Sequence, residues 1–341
     1  MSNLSIFDFE PSKITSRARF FTEIEPHLPI EDWMRIMKPI YYPDAHKGGN
    51  QPKPLEIMIR TYLVQNFFSL SDEGCEDAVY DSLSVRKFVG ISTNEGDIPE
   101  KSTICRFRNL LIEHGIQQKL FDNVVSSLAA KGLIVKKGTI VDSTIIENST
   151  SKRNKDKARD PESSFSMFAA QTRPLAARLL AGTRTKKGGN FKHGFKSHIG
   201  TDADSGLVTS NITTAAKVHD VTQGNKLLHG DEEAVYGDSG FLNLENHPHA
   251  LALRKYHIML RPSMIKRLPE SEQETAHRRQ QAIATVRAKV EHAFGTLKHL
   301  FGFRYTRYRG LKKNAAKLNM MYALTNIWKV SRMSQKMPLL T

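Results

Sequence analysis

The spacing of apolar positions changes near Gly138, and the change divides the chain. Before it the period is helical. Pro54 to Leu70 is apolar nearly all round, which predicts a buried helix with Pro54 near its first turn. Ser71 and Asp72 can cap the next helix. Later helical segments run to Gly90, Gly115 and Gly132, each placed as a helix-ending glycine. Residues 51–136 therefore read as an all-helical domain for DNA binding or dimerisation. Residues 1–50, with Pro26, Pro29, Pro39 and Pro43, read as an irregular arm in which Trp33 and Met34 anchor a short helix.

Beyond Gly138 strands alternate with helices. Thr139 to Ile146 is a buried-type strand carrying Asp142 at its centre. Phe195–Thr201 and Leu207–Thr213 read as two strands joined by the turn Asp202-Ala203-Asp204-Ser205-Gly206, whose acids serve the turn. Asp220 is expected to cap a helix through Leu228. Ala234–Tyr236 is a short strand leading into Gly237-Asp238-Ser239-Gly240-Phe241. A helix to about Lys255, a strand near Ile258–Arg261 and a long helix from Glu274 to about Leu300 follow. A basic-aromatic loop then leads to a last helix from Leu311 to about Arg332. The pattern predicts an α/β domain over residues 137–341. Its centre is a mixed five-stranded sheet with flanking helices.

Charge adds a partner class. The net charge is +15. Lys plus Arg less Asp plus Glu comes to −3 for residues 1–150, +9 for 151–200, −6 for 201–250 and +15 for 251–341. Two basic blocks around an acidic remainder suit a polyanion, above all nucleic acid. The first block is a polar insert at about 149–192, where Lys186 and Lys187 suit phosphate contacts. The second holds Arg304, Arg307 and Arg309, interleaved with aromatics. In the helical domain, residues 76–89 and 102–114 form a helix pair, the second bearing Arg106 and Arg108. That pair reads either as a DNA-reading helix-turn-helix or as a dimerisation module. No apolar run reaches membrane-spanning length. Cys75 and Cys105 are isolated, and the first residues lack a signal pattern, so a cytoplasmic, nucleoid-associated protein is expected.

The candidate chemistry lies in three acids. Asp142 inside an apolar strand needs a hydrogen-bond partner, a proton or a metal. Asp238 stands at a strand's C-terminal end between glycines. Glu291 lies on one helix face with Arg287 and Lys298. That row is either a surface ion-pair row or a metal ligand beside phosphate-binding cations. Three convergent carboxylates repel one another, and hard divalent cations offset the repulsion.

Several motifs carry a family resemblance. They are Val141-Asp142-Ser143-Thr144, His198 to Gly206, Val218-His219-Asp220-Val221, Tyr236 to Phe241, and Arg287-x3-Glu291-x6-Lys298. With Leu83 to Phe88 and Ser102-Thr103-Ile104, they resemble DDE transposases of bacterial insertion sequences, most closely the IS5 family, over roughly residues 52–331. The resemblance implies an RNase H-like catalytic domain whose Asp142, Asp238 and Glu291 hold two Mg²⁺ ions, with Mn²⁺ a substitute. It implies hydrolysis at transposon ends in double-stranded DNA and strand transfer into target DNA. It further implies a homodimer, and Arg287 and Lys298 facing the end DNA. Departures are Ala284 where the signature has Tyr, Phe241 where Tyr is frequent, and a long segment at about Ser163–Thr185. An RNase H-like metal nuclease without strand transfer, and a non-catalytic DNA-binding derivative, are the rival classes.

Overall fold

The computed structural model describes residues 13–42, 52–91, 98–148, 190–251 and 254–336, with 160, 162, 164–165 and 185–187. These residues fall into two compact units. One comprises Met1–Leu110 with Ile327–Thr341, and the other Leu111–Asn326.

The first unit is helical. It contains α1 (Ser16–Ile24), α2 (Ile30–Tyr41), α3 (Leu55–Phe67), α4 (Asp72–Asp81), α5 (Leu83–Val89) and the start of α6 (Lys101–Glu113). The arm, expected to be irregular apart from a short helix at Trp33 and Met34, carries that helix as α2 and a second one, α1. Thr15 caps α1 by accepting a hydrogen bond from the Ala18 amide, and Ile30, Trp33 and Met37 line the buried face of α2. Pro29 precedes that helix and Pro39 lies in its last turn, so neither breaks it. Ser71 caps α4 through the Gly74 amide. Gly90 ends α5 at φ +83°, a backbone that a side chain would strain. Phe21 and Phe88 stack at 4.1 Å in the core.

The second unit holds α7 (Ile116–Ala130) and a sheet. Its main strands are β1 (Gly138–Asn148), β4 (Asn190–Asp202), β5 (Val208–Ala215), β6 (Ala234–Gly237) and β7 (Lys255–Ile258). Their order is β5–β4–β1–β6–β7. The β5–β4 and β4–β1 pairs are antiparallel; β1–β6 and β6–β7 are parallel. This is the mixed five-stranded RNase H-like sheet. Three short strands add to it. β2 (Ser164–Phe165) and β3 (Thr185–Lys187) pair with β4, and β8 (Tyr305–Thr306) pairs with β1. Val141, Leu227, Val235, Phe241 and Leu244 form a buried cluster on one face. Asp142 projects to the other face, since neighbouring strand residues alternate.

Several local expectations are corrected. Asp220 makes no capping hydrogen bond. The helix after it shrinks to α8 (Val221–Gly224) and a 3₁₀ turn. The helix expected from Phe241 to about Lys255 is not found among the described residues. Two 3₁₀ turns stand there, with Asn243 and His249 at positive φ and Pro248 beside the second. The strand expected near Ile258–Arg261 is β7, which ends at Ile258 because Pro262 opens α9 (Pro262–Ile265). The long helix is α10 (Glu270–Gly295), which continues into a wider π-type turn at Thr296–Leu300. The last helix, α11, spans Leu311–Lys336. Its buried Tyr322 hydroxyl lies 2.9 Å from Ser197 Oγ, and Asn326 brackets Val208, fixing α11 to the sheet.

Candidate active site

Register builds the site. Val141 pairs with Gly237 in the parallel β1–β6 ladder, so the next residues, Asp142 and Asp238, stand side by side. Gly237 admits this approach: a Cβ there would lie 2.9 Å from Ile258 Cδ1 and 3.3 Å from Val141 Cγ2. The Asp238 carboxylate accepts a hydrogen bond from the Gly240 amide at 2.8 Å, which fixes it at the mouth of the turn.

Asp142 is held from two sides. Its Oδ1 accepts from its neighbour's amide, Ser143, at 2.7 Å, and its Oδ2 accepts from Arg287 Nη2 at 2.9 Å. Both side chains are mostly covered, 15% exposed for Asp142 and 18% for Arg287. Burial pushes the Asp142 carboxyl up to about 6. The Arg287 cation opposes that rise and the adjacent Asp238 charge adds to it. Arg287 also approaches Met259 Sδ at 3.1 Å. About three turns along from Arg287, Lys298 donates to Thr144 Oγ1 and to the Ile145 carbonyl. Asp142 and Thr144 share a face of β1, so both cations of the helix row meet one strip of strand.

Glu291 stands on α10 one turn beyond Arg287. Its side chain is exposed and has no hydrogen bond or ion pair among the described residues. Among those residues, no three His, Cys, Asp or Glu side chains are gathered closely enough to hold a metal ion. The two aspartates nonetheless fit a hard divalent cation. They offer oxygen donors only, and their mutual repulsion with burial is what such a cation offsets.

The remaining expected site residues disperse. Arg304, Arg307 and Arg309 are exposed around β8, which pairs with the end of β1 at Glu147 and Asn148. Arg304 donates to the Lys298 carbonyl at 3.2 Å. Lys186 and Lys187 lie on β3, opposite Phe191 and Asn190 of β4. Most of the basic insert falls outside the described residues. In the helical unit Arg106 is exposed, whereas Arg108 is buried and ion-paired with Asp72. Asp202 serves its turn as expected. It accepts from the amides of Asp204 and Ser205 with one oxygen and from those of Val135 and Lys136 with the other.

Sequence reasoning overlooked the buried pair of Lys196 and Asp220, whose charged atoms are 3.1 Å apart. A lysine within the apolar run Phe195 to Ile199 was the available signal.

The fold is RNase H-like, and it sets Asp142 and Asp238 side by side at the end of the parallel β1–β6 ladder. Comparison with family models agrees. Residues 134–327 match the transposase DDE domain, and residues 9–110 match a transposase domain (DUF772). The chain belongs to the DDE transposases of insertion sequences, and is an enzyme of that class. No solved structure matches it. No helix among the described residues is long and apolar enough to cross a membrane.

Proposed function

We propose that this transposase binds the ends of its own mobile element, hydrolyses the phosphodiester bond there and transfers the freed 3′-hydroxyl into target DNA. The observation that carries the reading is the side-by-side placement of Asp142 and Asp238, with Arg287 against the first. Asp142 and Asp238 would hold Mg²⁺, or Mn²⁺ in its place, with Glu291 approaching from α10 to complete the set. Two such ions supply Lewis acidity to the attacking and leaving oxygens.

The chain's own residues do the rest. Asp142 acts in its ionised form. Burial disfavours that form, so the carboxylate gains by meeting positive charge. Arg287 and Lys298, fixed on β1 by hydrogen bonds, present guanidinium and ammonium donors to phosphate oxygens of the element's end. Arg304, Arg307 and Arg309 extend that cationic surface along the duplex. Synapsis of two ends would take a homodimer on double-stranded DNA.

The test uses labelled duplexes carrying the terminal repeats that flank the gene, incubated with Mg²⁺ or with EDTA. Mg²⁺-dependent nicking at the repeat ends, followed by joining of pre-cleaved 3′-hydroxyl ends to a plasmid, is expected. Nicking without joining would reassign the chain as a nuclease. Binding without either would reassign it as a DNA-binding derivative.

A further inference from the structure

We infer that Asp220, ion-paired with Lys196 beside the buried His198, is a positioning residue that sets the carboxylate of Asp238 from behind the sheet. The inference rests on the reading of Asp142 and Asp238 as metal ligands.

The three side chains form a buried polar set on the face of β4 opposite Asp142. Lys196 is 7% exposed; its ammonium lies 3.1 Å from Asp220 Oδ1 and donates to the Val218 carbonyl at 2.8 Å. His198 is fully buried, with Nε2 2.9 Å from Thr214 Oγ1 and Nδ1 3.4 Å from the same Asp220 oxygen. Burial pushes the imidazole down to about 4, so the ring is neutral and Lys196 alone neutralises Asp220.

The other Asp220 oxygen faces the catalytic turn. At the place a Cβ on Gly240 would occupy, Asp238 Oδ1 is 2.9 Å away and Asp220 Oδ2 is 3.6 Å away. Both carboxylates thus border the space beside Gly240, and its amide is the donor that fixes Asp238. α8, which follows Asp220, presses on the same segment: a Cβ on Gly224 would lie 2.7 Å from Leu244 and 3.0 Å from Phe241. Lys196 therefore ties β4, through Asp220 and α8, to the turn that presents Asp238. β4 is in turn paired with the strand that presents Asp142.

Stability alone gives little reason for such a set, because a buried ion pair is commonly matched or bettered by apolar side chains of equal volume. Supporting a ligand does give one. Loss of a group that orients a metal ligand typically lowers metal affinity about 10–100-fold.

The test compares the wild-type chain, Asp142→Asn, the apolar double variant Lys196→Met with Asp220→Leu, and Gly240→Ala. The last leaves the ion pair in place and presses on the turn directly. Thermal unfolding establishes which variants are folded. Mn²⁺ binding by isothermal titration, without DNA, is the deciding readout. Wild type is expected to bind Mn²⁺ and Asp142→Asn to lose it. The folded double variant is expected to bind about tenfold more weakly or worse, and Gly240→Ala likewise, with a matching rise in the Mg²⁺ needed for cleavage. Affinity within twofold of wild type in the folded double variant would overturn the positioning role of Asp220 alone, whatever Gly240→Ala shows. Should the double variant not fold, unchanged affinity in Gly240→Ala would overturn it equally. Wild-type binding no tighter than that of Asp142→Asn would overturn the ligand reading, and the inference with it.

Discussion

Arg287 and Asp142 are 145 residues apart in sequence and 2.9 Å apart in space, and both are largely withdrawn from water. The guanidinium therefore ties α10 to the central strand and balances the charge of Asp142. Removing it leaves a buried carboxylate with no cation beside it. Arg287→Met is expected to lower stability by about 2–3 kcal/mol near neutral pH, discounted from the fully buried case for partial exposure. Urea unfolding at pH 7 without metal checks this. A change under about 0.5 kcal/mol would show that the pair contributes nothing net.

The raised Asp142 carboxyl has a pH consequence. Its value moves from an ordinary 3.8 to about 6. The folded state thus binds this proton more tightly than the unfolded chain. The associated stability is fully present below pH 4 and is lost as pH rises through 6, about 3 kcal/mol in all. In EDTA, wild type measured against Asp142→Asn should lose that increment between pH 4 and pH 7. A pH-independent difference between the two would contradict the burial argument.

Asp202 is a structural acid, fully engaged by backbone amides on both oxygens and 1% exposed. Asp202→Ala strands several buried donors, so a loss of about 3 kcal/mol or more is expected. Thermal denaturation reads it. Mn²⁺ affinity of whatever folded protein remains should not change.

Tyr322 is buried with its hydroxyl against Ser197, which also meets Asn211 at 2.9 Å. Tyr322→Phe removes one of these two links and should cost about 1 kcal/mol without altering cleavage. A loss of cleavage at unchanged stability would give this hydroxyl a role beyond fixing α11.

The exposed Arg304, Arg307 and Arg309 should act through phosphates. Replacing any one by Gln is expected to weaken binding to end and random duplexes alike. It should also reduce the slope of log K against log salt by about 1. A change confined to end sequences would point to base contacts instead.

Much of this was legible in the residues. The strand around Asp142, the turn at Asp202 and the glycine-flanked Asp238 were readable because each depends on local pattern. The long helix bearing Arg287, Glu291 and Lys298 was readable for the same reason. Of the two helices of the N-terminal arm, the one around Trp33 and Met34 was expected, though longer than read, its prolines lying before its start and in its last turn; α1 was missed. The helix expected after Phe241 failed because Asn243 and His249 adopt left-handed backbone, which periodicity does not reveal. Asp220 looked like a helix cap. Its partner, Lys196, lies 24 residues earlier on another element, and only tertiary packing brings the two together.

The most direct test of the central claim is a paired assay on Asp142→Asn and Asp238→Asn. Each would be measured for binding to the terminal repeats by gel shift and for Mg²⁺-dependent cleavage of the same duplex under single turnover. Binding within a few-fold of wild type, with cleavage reduced by at least about a thousandfold (about 4 kcal/mol of barrier), is the expected result. Cleavage within tenfold of wild type in either variant would contradict the assignment of these two carboxylates as the catalytic pair.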